Sequence, residues 1–250
     1  MKNKNSIELI DYLGSDKLHG LAAWVSTFAE FDIDIPENIP DRVDVIVNHI
    51  LNNGKRKRTI QDLLAYLATE NHNSPFRFSS FIFTANTDLA THVQKLKHSV
   101  ILEAENGESA RYKELKEDKF YLPEDWWEIK VTPDVKDDLN YPQEEYMDWF
   151  HALELYTQLG NKLYHKSLEQ LTPVIGRKRA KESARYFKTY NNQINTLNKF
   201  SFDGVLQFYH KRHDSSYVQN EIAEMAVKMI ECIKNIPNNP FKYSLAAFNL

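Results

Sequence analysis

Residues Val93–Leu115 read VQKLKHSVILEAENGESARYKEL. The opening letters keep helical spacing, the Asn106–Gly107 pair forces a turn, and the pentapeptide ESARY follows at Glu108–Tyr112. The same five residues return at Glu182–Tyr186, within RKRAKESARYFKT. The flanks of the two copies do not align, so a repeat architecture does not account for them. In the first copy the Ser109 hydroxyl, the backbone N–H groups after a turn and the Arg111 guanidinium are the parts of a phosphate cradle. The second copy, on a predicted helix, offers Arg185.

Outward from this stretch the chain mixes strands and helices. SIELIDYLG alternates as a strand ending at Gly14. DKLHGLAAWVSTFAEF predicts a helix with an apolar stripe through Leu18, Leu21, Ala22, Val25 and Phe28. DRVDVIVNHILNN is a second helix capped by Asp41, and TIQDLLAYLATE a third capped by Thr59. SPFRFSSFIFTANT alternates as a half-buried strand, and DLATHVQKLKH returns to helical spacing. Ser99–Glu105 takes no clear pattern. Phe120–Pro142 predicts a long irregular segment. Gln143–Leu171 predicts a long helix interrupted near Gly160. Then come a helix over RKRAKESARYF, a strand over NNQINTLNKFSF, a short helix over DGVLQFYHKR and a last helix over SYVQNEIAEMAVKMIECIKNI. Strand and helix do not alternate steadily, so a Rossmann-type sheet is not indicated. The reading is one α+β domain over residues 1–250, a mixed or antiparallel sheet covered by helices.

A chain of 250 residues can bury a substantial core without staples. The net charge of -4 argues against a general nucleic-acid binder. Two basic clusters, Lys55–Arg58 and Arg177–Lys181, can meet phosphates or lie on solvated faces. The single cysteine, Cys232, lies in a helical stripe with Ile222, Met225, Ala226, Met229, Ile230 and Ile233 and has no nucleophile motif around it. One cysteine, no apolar leader and no membrane span predict a cytoplasmic protein. His210 and His213 stand three apart with Asp214 next, a spacing zinc sites use. No second ligand cluster follows, so no metal is expected. Neither a dinucleotide fingerprint nor a phosphate-loop motif is present.

Taken in order, the pieces resemble the flavin-dependent thymidylate synthase family. IELIDYLGSDKLHGLAAWVS is similar to its opening strand and helix, and NHNSPFRF to its His-x-Ser-Pro-Phe corner. Val93–Trp126 resembles the signature R-H-R-x-x-S-x-N-E-x-S-x-R-Y, KESARY the helix with a second nucleotide-binding arginine, and FYHKRHDSSYVQNEIAEMA the closing segment. The resemblance implies a dUMP site of Gln94, Glu108, Ser109, Arg111, Arg185 and Arg212. The two pentapeptides would then meet at one phosphate, and Arg212 would polarise the pyrimidine as the catalytic residue. It implies a FAD site drawing on Ser26, His72, Ser74, Lys97, His98, Val100, Ser201 and Gln207. It implies methylenetetrahydrofolate as carbon donor, NADPH as reductant, dTMP as product, no attacking cysteine, and a homotetramer.

The sequence departs from the family where flavin is expected. R-H-R reads Lys97–His98–Ser99, the Asn-Glu pair reads Asn106–Gly107, and the Asn-x-Arg of the flavin site aligns with Ser201 and Asp203. Trp24 stands in place of an arginine. The departures leave two alternatives open, hydroxymethylation of a deoxynucleotide and an inactive nucleotide-binding or partner subunit.

Overall fold

The structure is a computed structural model and describes residues 2–25, 37–53, 58–97, 101–109, 111–214 and 216–250. Its sheet has four strands, β1 (Ser6–Leu13), β2 (Ser80–Asp88), β3 (Leu102–Gly107) and β4 (Gln193–Phe200), in the order β1-β2-β4-β3. The register is antiparallel. Asn86 meets Asn195 while Asn198 meets the carbonyl of Phe83, so β2 and β4 run in opposite senses. Glu108 N–H donates to Asn195 O while Lys199 pairs with Glu103, which sets β3 against β4 in the same way. β3 covers the stretch that periodicity left unassigned. Most of its side chains are exposed, so it carries little apolar alternation to read. The α+β class and the helix-covered antiparallel sheet match expectation.

The chain groups into two compact units. The first holds Met1–Ser6, Ala85–Lys95 and Asn106–Thr196; the second holds Ile7–Thr84, Leu96–Glu105 and Leu197–Leu250.

In the first unit, α4 (Leu89–Leu96, its last residue outside the unit) follows β2, and a short α5 (Pro133–Asp138) interrupts the long irregular segment. α6 runs from Trp149 to Ile175 and α7 from Arg177 to Ala184. Asp148 caps α6 by accepting the His151 N–H at 2.9 Å, so the helix starts six residues later than periodicity suggests. α6 is also continuous through Gly160. A Cβ there would lie 2.5 Å from the Phe187 carbonyl oxygen, so this glycine lets the chain after α7 press onto α6 and does not break the helix. Gly176, at φ 79°, makes the sharp turn between the two helices. Tyr164, Leu168, Ala180 and Ala184 then close a small core, with Leu115 packed against it.

In the second unit, α1 (Asp16–Val25), α2 (Ile39–Asn53) and α3 (Ile60–Thr69) pack together. Thr59 caps α3 as expected, but α2 begins at Ile39, which places Asp41 in its first turn instead of at the cap. Ser74–Arg77 forms a 3₁₀ turn ahead of β2, because Pro75, its second residue, presets a helical φ. Three helices close the unit: α8 (Phe202–Arg212), α9 (Asn220–Lys234) and α10 (Lys242–Ala247). The predicted α9 stripe is buried as drawn and Cys232 is half-buried beside it.

The face of α1 is the main correction. Its buried residues are Asp16, His19, Gly20 and Trp24, while Leu18, Leu21 and Ala22 are half-buried and Val25 is exposed. His19 is wholly buried among Phe76, Phe202 and Phe241, with its ring nitrogens 2.8 Å from Ser244 Oγ and 2.9 Å from Ser79 Oγ. Asp16 accepts from the Ser244 hydroxyl and from two α10 backbone N–H groups. Polar residues go inside here because each finds a partner.

Candidate functional site

The two pentapeptides meet in the first unit. Arg111 of the first copy pairs through Nε with Glu182 of the second at 2.6 Å. Lys181, one residue before that glutamate, donates to the Tyr112 carbonyl at 2.8 Å. Arg177 donates to Glu114 at 3.2 Å, and the Leu115 N–H donates to the Tyr164 hydroxyl at 3.0 Å. The segment after β3 is thus stitched along the corner between α6 and α7. Glu182 lies on α7 and Arg185 follows three residues later, so both project from the same side of that corner. Arg185 is exposed and makes no ion pair among the described residues. Tyr112 and Tyr186, which end the two copies, are both largely exposed.

The loop is braced electrostatically from beneath. Glu108 accepts from Lys113 at 2.5 Å and from the Asn195 N–H at 3.2 Å. Burial alone would push its carboxyl up, but these bonds outweigh burial and hold it below the usual carboxylate range. Lys188, just past the second copy, donates to Asp118 at 2.5 Å and to Asn161 at 2.8 Å. Its burial is strong enough to lower the ammonium below the ordinary lysine range despite that partner. Arg111 is therefore held by one carboxylate that a stronger anion can replace, beside an open guanidinium, with Ser109 Oγ accepting from the Arg111 N–H. Such an arrangement suits a phosphate.

A second set of polar groups gathers in the second unit, where the Ser74–Arg77 turn packs on α8. Asp203, in the first turn of α8, is 2% exposed. Its Oδ2 accepts from Arg77 Nε at 2.8 Å and from Gln207 Nε2 at 2.8 Å. Its Oδ1 is buried and has no hydrogen-bond partner among the described residues. Ser201 spends its hydroxyl capping α8, accepting from the Gly204 N–H at 3.1 Å. A flavin presents carbonyl and phosphoryl oxygens together with an imide N–H. The exposed, multi-donor guanidinium of Arg77 fits the oxygens of that group.

The expected site residues therefore fall into separate places. Glu108, Ser109, Arg111 and Arg185 all belong to the first unit, where Arg111 meets the helix that leads into Arg185, and Gln94 lies on α4 of the same unit. Arg212 belongs to the second unit, at the end of α8. So do Ser74, Ser201 and Gln207, which the turn and α8 bring together, and the exposed His72 and Lys97. Ser26, His98 and Val100 lie outside the described residues, as does most of the Lys55–Arg58 cluster. In the Arg177–Lys181 cluster, Arg177, Arg179 and Lys181 are spent on Glu114, Glu182 and the Tyr112 carbonyl. Among the described residues no group of three or more His, Cys, Asp or Glu side chains is placed to hold a metal ion. His213 instead stacks on Tyr209. Sequence reasoning missed Glu182 and the pairing of Arg77 with Asp203. For Glu182 a signal existed in the i, i+3 spacing to Arg185.

No helix among the described residues is long and apolar enough to cross a membrane. Two solved structures share the fold. The UMP/dUMP methylase PolB from Streptomyces cacaoi bound with 5-Br dUMP aligns at 22% identity and TM-score 0.67, covering 99% of this chain and 96% of that one. The same enzyme bound with 5-Br UMP aligns at 19% identity and TM-score 0.65, covering 99% and 95%. A search of curated proteins gives no match. The family description "Thymidylate synthase complementing protein" matches residues 8–238. That match spans most of strand β1, both pentapeptides, α8 and α9, and the chain belongs to the thymidylate synthase complementing protein family.

Proposed function

We propose that this protein is a flavin-dependent thymidylate synthase that converts dUMP to dTMP, with methylenetetrahydrofolate as carbon donor and NADPH as reductant. The observation that carries the reading is the meeting of the two pentapeptides at the Arg111–Glu182 pair, three residues before the exposed Arg185. Family membership over residues 8–238 supports the enzyme class. The likeness to a UMP/dUMP methylase supports a pyrimidine nucleotide as substrate.

In this reading the dUMP phosphate displaces the Glu182 carboxylate from Arg111 and is held by Arg111, Arg185 and Ser109. Planar guanidinium groups bind such an anion with paired hydrogen bonds. Gln94 lines the pyrimidine pocket, and Arg212 draws electron density toward the ring carbonyl, which primes C5 for the one-carbon unit. Glu108, locked to Lys113 and Asn195, holds the loop that carries Ser109 and Arg111. Bound FAD would supply the hydride that completes the methyl group. His72, Ser74, Gln207 and Lys97 would hold that cofactor, with Ser26, His98, Val100 and Ser201 completing the set. The α6 residues Leu155, Tyr156, Leu159 and Leu163 present an exposed apolar row, which supports a homotetramer.

The test is incubation with 5-tritiated dUMP, FAD, NADPH and methylenetetrahydrofolate, with the nucleotide product weighed by mass spectrometry. Tritium release with dTMP is the expected outcome. A hydroxymethyl product, or dUMP binding without release under any reductant, would overturn it in favour of altered chemistry or of a non-catalytic subunit.

A further inference from the structure

The Arg77–Asp203–Gln207 group is used by no role assigned above to Arg77 or Asp203. Burying a carboxylate costs several kcal/mol unless it is paired and hydrogen-bonded. Asp203 keeps only Oδ2 satisfied, by Arg77 Nε and Gln207 Nε2, and leaves Oδ1 without a partner among the described residues. Arg77 is fixed at its other end as well. Pro75 and Phe76 of its turn are buried, and Phe76 packs its ring on His19, Phe202 and Phe248. Yet the Arg77 side chain is 62% exposed. Only Nε is engaged, so both terminal nitrogens, with four N–H donors, stand open. A guanidinium held at one nitrogen by a buried carboxylate, with its planar fork facing outward, is preorganised for oxygen acceptors.

We propose that Arg77 is a flavin-binding residue and that Asp203 is its positioning residue. The inference rests on the flavin-dependent reading and adds a cation that the family alignment does not supply. Where the sequence departs from the family by placing Asp203, the structure sets a guanidinium 2.8 Å from that carboxylate, delivered from a different element. The terminal N–H groups of Arg77 donate to ring carbonyl or diphosphate oxygens of the cofactor. Gln207, bonded to the same Asp203 oxygen, keeps the carboxylate from turning away.

The experiment is a FAD titration of the full-length protein followed by flavin fluorescence, with dUMP calorimetry and thermal melting as independent readouts. Arg77→Ala lowers FAD affinity by about tenfold or more, the size of a lost charge-assisted bond, and leaves dUMP affinity unchanged. Arg77→Lys keeps the charge, loses the fork, and recovers only part of the loss. Asp203→Asn, with Arg77 intact, weakens FAD a few-fold without removing the dependence on salt. The double variant Arg77→Ala/Asp203→Asn strands no buried charge, and it still loses FAD. Equal losses for FAD and riboflavin assign Arg77 to the ring; a loss for FAD alone assigns it to the diphosphate. Wild-type FAD affinity in the double variant overturns the inference and leaves the flavin reading standing. Loss of FAD and dUMP binding together with a lower melting temperature also overturns it, making the pair a structural brace. A wild-type protein that binds dUMP but takes no FAD overturns the flavin reading itself, and this inference falls with it.

Discussion

Acidification should destabilise this protein through one histidine. His19 is wholly buried, and burial drives its pKa from 6.5 down to about 3. Between those values the unfolded chain binds a proton at this site and the folded chain does not, so stability rises with pH across the window. The loss is absent above the unfolded value and complete below about 3. For a folded value near 3 and an unfolded value of 6.5, the linkage integral gives about 1.4 kcal/mol lost at pH 5.5 relative to pH 7.5. Asp16 works in the opposite direction. Its burial raises its carboxyl, so its penalty is relieved as pH falls through the folded value. Urea unfolding at pH 7.5 and 5.5, for wild type and His19→Gln, separates the two, because Asp16 is common to both proteins. The glutamine cannot titrate and reproduces one donor and one acceptor. It should be less stable than wild type at pH 7.5 by about 1–3 kcal/mol, and that gap should narrow by about 1.4 kcal/mol at pH 5.5. Equal pH dependence in the two proteins would refute the argument and mean that His19 is not held neutral by burial.

Three further outcomes follow from the corner where the two pentapeptides meet. Arg185→Lys should weaken dUMP binding by about tenfold, because an ammonium cannot make the paired bonds of a guanidinium; calorimetry measures it, with FAD affinity as the unchanged control. Glu182→Gln should tighten dUMP by a factor of about two to five, since the exposed Arg111 pair is worth up to about 1 kcal/mol and no longer has to be broken; weaker binding would show that Glu182 positions Arg111 instead of competing for it. Gly160→Ala should cost about 1–3 kcal/mol in urea unfolding, because the new methyl carbon would lie 2.5 Å from the Phe187 carbonyl; a cost near zero would mean that the chain after Arg185 is free to lift from α6.

What the sequence revealed depended on how far each residue's partner lies along the chain. Thr59 and the α9 stripe were legible because their partners stand within a turn or two. The α1 face was misread for the opposite reason. Periodicity sees aliphatic residues, but the partner that makes His19 and Asp16 suitable for the interior is Ser244, more than two hundred positions away. Gly160 was misread likewise. It looked like a helix break, and only the return of Phe187 against α6 gives the missing Cβ its meaning. α10 was missed because six residues carry too little pattern to read.

The doubled pentapeptide brings the same limit to the site. A glutamate three residues ahead of an arginine makes each ESARY self-complementary, so two copies could pair reciprocally, each arginine on the other's glutamate. The structure uses half of that symmetry. Arg111 takes Glu182, but Glu108 is bound to Lys113 and the Asn195 amide, and Arg185 is left open. The asymmetry arises in the flanks, where only the first copy has a lysine directly after its tyrosine and a strand edge beside it. A fully reciprocal pairing would neutralise both arginines and leave the corner with no affinity for a phosphate. With Arg111 sharing the Glu182 carboxylate with Arg179, and Arg185 in no ion pair among the described residues, the corner keeps an excess of positive charge. In the proposed reading, a phosphate that replaces Glu182 gains Arg111 in addition to Arg185.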